Sequence, residues 1–262
     1  MAALSAAISG AQAQQIAIDH ISNNIANASS IGYKKTGVVT SDLFYTNLRK
    51  AGVLENAESS PRPIGTQIGM GTKVVGSYRD IETGPLKQTM QPLDVAITGT
   101  GYFAIALPNG RTGYSRAGNF QRDAATGNLI TTDGHSLATA ISIPANINTE
   151  DVLISDSGLV SAPDPNNSAG PLIEIGQFEL VTFTNDGGLE AIGSNIFIAT
   201  IASGEAIAID NITNKFKQNF LEESNVKSVI ELTELIEAQR HYELNLRVIS
   251  TVDKIMEATN KI

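Results

Sequence analysis

Three histidines, His20, His135 and His241, are the first residues to test for chemistry, because imidazole is both a common metal ligand and a proton shuttle near neutral pH. No two of them have metal-ligand spacing and no H-E-x-x-H run exists, so they read as solvated or capping residues. The chain has 0 cysteines, which excludes thiolate nucleophiles, thiolate metal sites and disulfides. No G-x-S-x-G elbow is present. The run Gly69-Met70-Gly71-Thr72-Lys73 lacks the spacing of a phosphate loop and reads as a turn. Asn27-Ala28-Ser29, Asn166-Asn167-Ser168 and Asn211-Ile212-Thr213 fit the glycosylation acceptor pattern, at a frequency that chance supplies in an Asn- and Ser-rich chain. The many carboxylates are scattered and read as a solvated face. No catalytic residue, metal ligand or cofactor is expected, and the chain does not read as an enzyme.

Charge narrows the partners. The 262 residues include 27 acidic and 18 basic ones, a net charge of −9. Residues 92–210 hold 13 acidic residues against Arg111, Arg116 and Arg122 alone. That balance argues against nucleic acid, which needs clustered cations to displace counterions, and against an anionic membrane surface. No apolar run approaches the roughly 20 residues that cross a bilayer, so membrane insertion is not expected. Ala11-Gln12-Ala13 fits a small-residue cleavage site, but no Lys or Arg precedes it, and Ser5, Ser9 and Gly10 interrupt the apolar stretch. Met1–Gln15 is therefore read as the first turns of a helix.

The elements follow from periodicity. Leu4, Ile8, Ile18 and Ile25 fall on one narrow stripe of an N-terminal helix that Gly32 ends. Leu232, Leu235, Gln239, Tyr242, Leu246, Ile249, Asp253 and Met256 keep a 3-4 spacing in a C-terminal helix, with Ser224 or Asn225 as the expected cap. About 35 residues at 1.5 Å each would reach roughly 52 Å. The pairs Glu237–His241, Glu243–Arg247 and Glu257–Lys261 support the exposed face. A seam that long needs another helix, so the two ends should meet side by side. The N-terminal stripe is Ala-rich and buries little, so copies from neighbouring chains are expected to complete the bundle, with ends that order on assembly.

Residues 73–218 are rich in Ile, Val and Thr in short runs between turn signals. Those signals are Gly99-Thr100-Gly101, Asn109-Gly110 (a type I′ hairpin pattern), Thr126-Gly127-Asn128, Asp133-Gly134 and Asp186-Gly187-Gly188, with a loop at Pro163–Asn167. The expected class is α+β: a discontinuous coiled-coil domain of terminal helices (1–34 and 219–262) plus an irregular antiparallel all-β outer domain (73–218). Residues 35–72, with Pro61-Arg62-Pro63, Gly65, Gly69 and Gly71, exceed an ordinary connection and form a linker or an extended arm.

Several segments resemble the bacterial flagellar rod and hook proteins. Asn24-Ile25-Ala26-Asn27 with Gly32-Tyr33-Lys34 is similar to that family's N-terminal signature. Ser224-Asn225-Val226, Ala238–Asn245 and Val248–Asp253 look like its C-terminal signature. Pro92–Ile97 through Gly101-Tyr102-Phe103, Tyr114–Phe120 and Gly134–Leu137 match in the middle, in order along nearly the whole chain. The arm, with Phe44, Tyr45, Pro61, Pro63, Gly65 and Gly69, resembles an extra segment of the subunit that builds the distal part of the rod.

The resemblance implies a structural subunit that self-assembles into a rigid helical drive shaft passing torque from motor to hook. It implies interfaces at Leu4, Ile8, Ile18, Asn24, Ile25, Asn27, Leu232, Leu235, Gln239, Tyr242, Leu246 and Ile249, and an arm packed between subunits. The implied partners are other copies, proximal rod subunits, a hook or hook-junction protein, the P-ring and L-ring bushing, and the flagellar type III export apparatus. The implied location is the basal body, where the rod crosses the periplasm to the outer membrane. A proximal rod or hook subunit is the alternative within the family. A different class altogether is a binding module whose acidic β domain recognises a ligand while the helices form a small oligomer.

Overall fold

The computed structural model describes residues 2–49, 64–164, 171–209 and 215–260. The architecture is α+β in two compact units. A helical unit comprises Met1–Ala26, Thr36–Arg79 and Lys227–Ile262; a β unit comprises Asn27–Lys35 and Asp80–Val226. This grouping differs from the division expected above. Residues 36–72 of the arm and 73–79 of the expected β domain join the helices, whereas residues 27–35 and 219–226 join the β unit.

In the helical unit, α1 (Ala2–Ala26) and α2 (Ser228–Asn260) lie side by side. Gly10 abuts the Asn245 side chain, and Asn24 donates to Glu231 at 3.0 Å. The numbers rise on one helix as they fall on the other, so the helices run antiparallel. Neither expected cap begins α2. Ile230 and Glu231 donate to the Lys227 carbonyl at 2.9 and 3.1 Å, while Ser224 Oγ accepts from Val226 N at 3.2 Å. The Asn225 amide instead accepts from Lys35 N at 2.8 Å and donates to Asp80 O at 3.0 Å, inside the β unit. Glu231 in the first turn of α2 complements the helix dipole.

The arm is an antiparallel ribbon. β1 (Thr36–Asp42) pairs with β4 (Thr72–Arg79), and β2 (Tyr45–Arg49) pairs with β3 (Thr66–Gly69). Leu43 N to Gly71 O (2.9 Å) and Met70 N to Phe44 O (3.2 Å) join the two parts. The Gly69-Met70-Gly71-Thr72-Lys73 run, expected as a turn, falls at this joint. Gly71 has φ +116°, and a Cβ there would strike Ser9 and Ala6 of α1, so only glycine lets the ribbon approach the helix. Pro61 and Pro63 fall outside the described residues.

The β unit begins with β5 (Leu86–Gln88), β6 (Val95–Thr98), β7 (Tyr102–Ala106), β8 (Thr112–Ser115), β9 (Gln121–Arg122) and β10 (Leu129–Ile130). It continues with β11 (Leu153–Ile154), β12 (Leu159–Ala162), β13 (Ile173–Gln177), β14 (Leu180–Thr182) and β15 (Glu190–Gly193). β16 (Ile196–Ile198), β17 (Ile207–Ile209), β18 (Lys215–Gln218) and β19 (Phe220–Glu222) complete it. The largest sheet runs β15-β16-β8-β7-β14-β17, and every pairing in it is antiparallel. Alternation along β7 supplies both of its faces. Phe103 packs with Phe120, Phe178 and Phe216 at centroid separations of 5.0 to 6.2 Å, in a core that includes Ile97, Leu129, Ile141 and Leu180. The neighbouring Tyr102 packs with Phe183 and Phe197 in a second cluster, each at 6.0 Å.

One turn departs from expectation. Leu107 N bonds Arg111 O and Gly110 N bonds Leu107 O, both at 3.0 Å, and Gly110 has φ +76°. That is a three-residue type I turn with a bulge at glycine: its central pair is Pro108-Asn109, which proline's negative φ suits, and Asn109 lacks the positive φ that a type I′ Asn109-Gly110 pair needs. The two-residue primed turn lies at Ser194-Asn195 instead, with φ 51° and 57°.

Candidate functional site

Surface chemistry separates the two units. The helical unit contains 10 acidic and 10 basic residues, so it is neutral; the β unit contains 17 acidic and 8 basic ones and carries the whole net charge of −9. Most of the exposed large apolar side chains also belong to the helical unit. On α2 they include Val229, Leu232, Ile236, Leu244, Leu246 and Ile255; on the ribbon, Val39, Phe44, Tyr45, Leu48, Ile68 and Val75. A surface without net charge that exposes this many large apolar side chains fits association with protein.

The reason lies in which residues α1 and α2 bury. On α2 the residues out of full exposure are Glu231, Leu235, Ala238, Tyr242, Asn245, Ile249 and Val252, a strict 4-3 repeat. On α1, Leu4, Ile18 and Ile25 are half-buried in the same stripe as buried Ala7 and Ala11, while Ile8 is exposed. The expected α2 seam therefore splits in two. Leu235, Tyr242 and Ile249 lie on the buried stripe, whereas Leu232, Gln239 and Leu246 form an exposed row one residue round the helix. The fully buried apolar side chains of the seam are alanines, its larger members are half-buried, and a second row of large side chains stays outside.

Asn24 is 1 % exposed and bonded on every side, and Asn27 caps the turn after α1 by accepting from Ser30 Oγ at 3.1 Å. In the arm, Phe44 and Tyr45 are exposed, and Gly65 and Gly69 are half-buried.

The β unit holds a buried ion cluster that sequence reasoning did not single out. Glu222 Oε1 meets Lys34 Nζ at 2.5 Å, and its Oε2 meets Arg116 Nη1 at 3.2 Å, with all three side chains at most 1 % exposed. Gly84 N also donates to Glu222 at 3.0 Å, Lys34 donates to Glu82 O at 2.7 Å, and Arg116 to Gly99 O at 2.8 Å. Burial pushes the Lys34 ammonium below its ordinary pKa, with Glu222 pulling the other way. Lys34 and Arg116 belong to recognisable signatures, but Glu222 is one of two adjacent glutamates at the end of a short strand with no periodic signal.

A polar cleft of about 380 Å³ also opens on the β unit, between Ser29–Ile31, Thr131–Asp133 and Ser194–Ile196. Asn195 Nδ2 donates to Ile31 O at 2.7 Å across it. Asp133 is the one ionisable residue in the lining, so the cleft has a donor-acceptor surface without a cation to bind an anion. Among the described residues no group of three or more His, Cys, Asp or Glu is placed to hold a metal ion, and no helix is long and apolar enough to cross a membrane.

Residues 4–34 match the family described as flagella basal body rod protein, residues 96–162 the flagellar hook protein FlgE/F/G D1 domain, and residues 217–262 the flagellar basal body rod FlgEFG protein C-terminal. The flagellar basal-body rod protein FlgG of Caulobacter vibrioides is 42% identical over 270 residues, covering 100% of this chain and 99% of that one. The chain belongs to the FlgG family of flagellar basal-body rod proteins. The FlgG of Agrobacterium fabrum is 40% identical over 265 residues, covering 100% of this chain and 99% of that one. The rod protein FlgF of Escherichia coli is more distant, 27% identical over 249 residues with 92% and 89% covered. Membership in the FlgG family makes the chain a structural rod protein of the flagellar basal body.

Proposed function

We propose that this chain is a self-assembling structural subunit of the distal rod, and that copies join chiefly through the outward side of α2 and the β1–β4 ribbon. The observation that carries this is the exposed Leu232, Ile236 and Leu246 row on a unit without net charge, left outside the stripe that α2 turns toward α1. The 4-3 spacing of the buried stripe supports a coiled-coil pairing of α1 with α2. Each fully covered Leu or Ile adds about 1.5–3 kcal/mol, so a few per subunit, repeated along a polymer, hold it firmly. The acidic β unit keeps assembled copies soluble. Proximal rod subunits, a hook or hook-junction protein, the P-ring and L-ring bushing and the export apparatus are the partners this role requires, and no catalytic step is part of it. Greater identity to FlgG than to FlgF supports the distal over the proximal position.

A second reading keeps the polar cleft of the β unit as a ligand site and treats the helices as a small-oligomer device. Electron micrographs of concentrated protein separate the two. Straight filaments are expected; discrete dimers or trimers at all concentrations would favour the binding module.

A further inference from the structure

Asn24 is a helix residue whose amide is fully used. Its Nδ2 donates to the Thr36 carbonyl at 2.8 Å and to Glu231 Oε2 at 3.0 Å. Its Oδ1 accepts from Thr36 N at 3.0 Å and from Thr36 Oγ1 at 3.3 Å. Two donors and two acceptor positions exhaust what a primary amide offers. His20 Nδ1 lies 3.1 Å from Thr36 Oγ1 and extends the network along α1. Asn24 and Glu231 are each 1 % exposed. One side chain thus ties α1 to the first residue of β1 and to the first turn of α2.

The apolar side chains of the surrounding seam select its alignment only weakly. Its fully buried apolar members are the small Ala7, Ala11 and Ala238, Gly10 lies against Asn245, and the larger Leu235, Tyr242 and Ile249 are only half-buried, so a shift of one heptad exchanges side chains that stay partly exposed in either register. A slide would present different outward residues to any neighbour. Buried polar contacts select alignment in such seams, because every other register leaves a donor or acceptor unpaired away from water. The two contacts that define the register agree: Gly10 faces Asn245 and Asn24 faces Glu231, fourteen residues apart on both helices.

We propose that Asn24, through Glu231, is the positioning residue that sets the register of α1 on α2, and with it which face of α2 each subunit offers. Aspartate could not replace it, having no amide hydrogens to donate. Leucine would fill the space but strand the Thr36 backbone and the Glu231 carboxylate. The inference concerns the folded subunit and stands whether or not the chain polymerises.

The absence of native cysteine makes the register directly measurable by oxidative cross-linking of the full chain in dilute solution. In an otherwise unchanged chain, the pair Gly10→Cys with Asn245→Cys should close, and the pairs Gly10→Cys with Ala238→Cys or Val252→Cys, each one heptad off, should not. Adding Asn24→Leu should lower the in-register yield about tenfold and let an off-register pair close. Glu231→Gln, which keeps an acceptor for the Asn24 amide, should leave the in-register yield within twofold, while Glu231→Leu should behave as Asn24→Leu does. Circular dichroism checks that helix is present; if Asn24→Leu loses it, the two Glu231 variants decide. An unchanged in-register yield with no off-register product in Asn24→Leu and Glu231→Leu overturns the proposal, as does equal loss in Glu231→Gln and Glu231→Leu.

Discussion

Glu222 shares one carboxylate between two cations in a place that water does not reach, and the sequence positions involved, 34, 116 and 222, meet only when the β unit is closed. Such a cluster is destabilising when broken rather than strongly stabilising when whole. Glu222→Gln should therefore lower the unfolding free energy of the β unit by about 3–5 kcal/mol, leaving two buried cations without a counter-charge, as read from denaturant midpoints. Asp186 shows the opposite economy. Its Oδ1 is buried without a hydrogen-bond partner, and burial raises its pKa against the pull of Arg116. As pH rises, the unfolded carboxyl releases its proton first, so between the ordinary value and the raised folded one the unfolded state binds fewer protons and stability falls. Asp186→Asn should thus raise the melting temperature at pH 7 relative to the parent, with the difference shrinking as pH drops below about 4. A parent and variant that differ equally at both pH values would contradict this. Residues of this kind were illegible in the sequence because burial, not residue type, gives them their meaning.

At the level of elements, both helices were legible from periodicity, since α1 and α2 follow a repeat that no Pro interrupts. The face was only half legible. Leu232 and Leu246 look like core by hydrophobicity, yet the buried stripe one residue away contains Glu231, Ala238 and Asn245. Counting large apolar residues merges two stripes, because the inner one carries Leu235, Tyr242 and Ile249 between Glu231, Ala238 and Asn245 while the outer one carries Leu232 and Leu246. The ribbon's pairing was not legible either, being a long-range register held by joints such as Gly71. This bears on a test of assembly. Leu246 is 44% exposed in the subunit, so Leu246→Asp should leave its fold intact within about 0.5 kcal/mol and abolish assembly, by placing a charge where a neighbour must exclude water. Sedimentation read against circular dichroism checks both halves; loss of the fold along with assembly would assign Leu246 to the intramolecular seam after all.

For the whole molecule, the division of labour is chemical. One unit is neutral and apolar outside, and the other carries all of the net negative charge. The sequence already concentrated acid in residues 92–210, but the neutrality of the other unit appears only once residues 36–79 join the terminal helices. The α1–α2 seam rests on alanines and so is lean in buried area, and the helices should gain order when neighbours cover them. Helix content measured by circular dichroism should rise from monomer to polymer; equal content in both would contradict a seam that needs partners.

The most direct measurement of the central claim is thiol labelling of single-cysteine variants, Leu246→Cys on α2 and Ile201→Cys on the β unit, in monomer and in assembled polymer. Both positions are exposed in the subunit and should label freely in the monomer. Assembly should slow labelling at 246 by about tenfold or more while leaving 201 within twofold, if copies join as proposed by burying the outward α2 row. Unchanged labelling at 246 in a polymer of normal appearance would contradict the account.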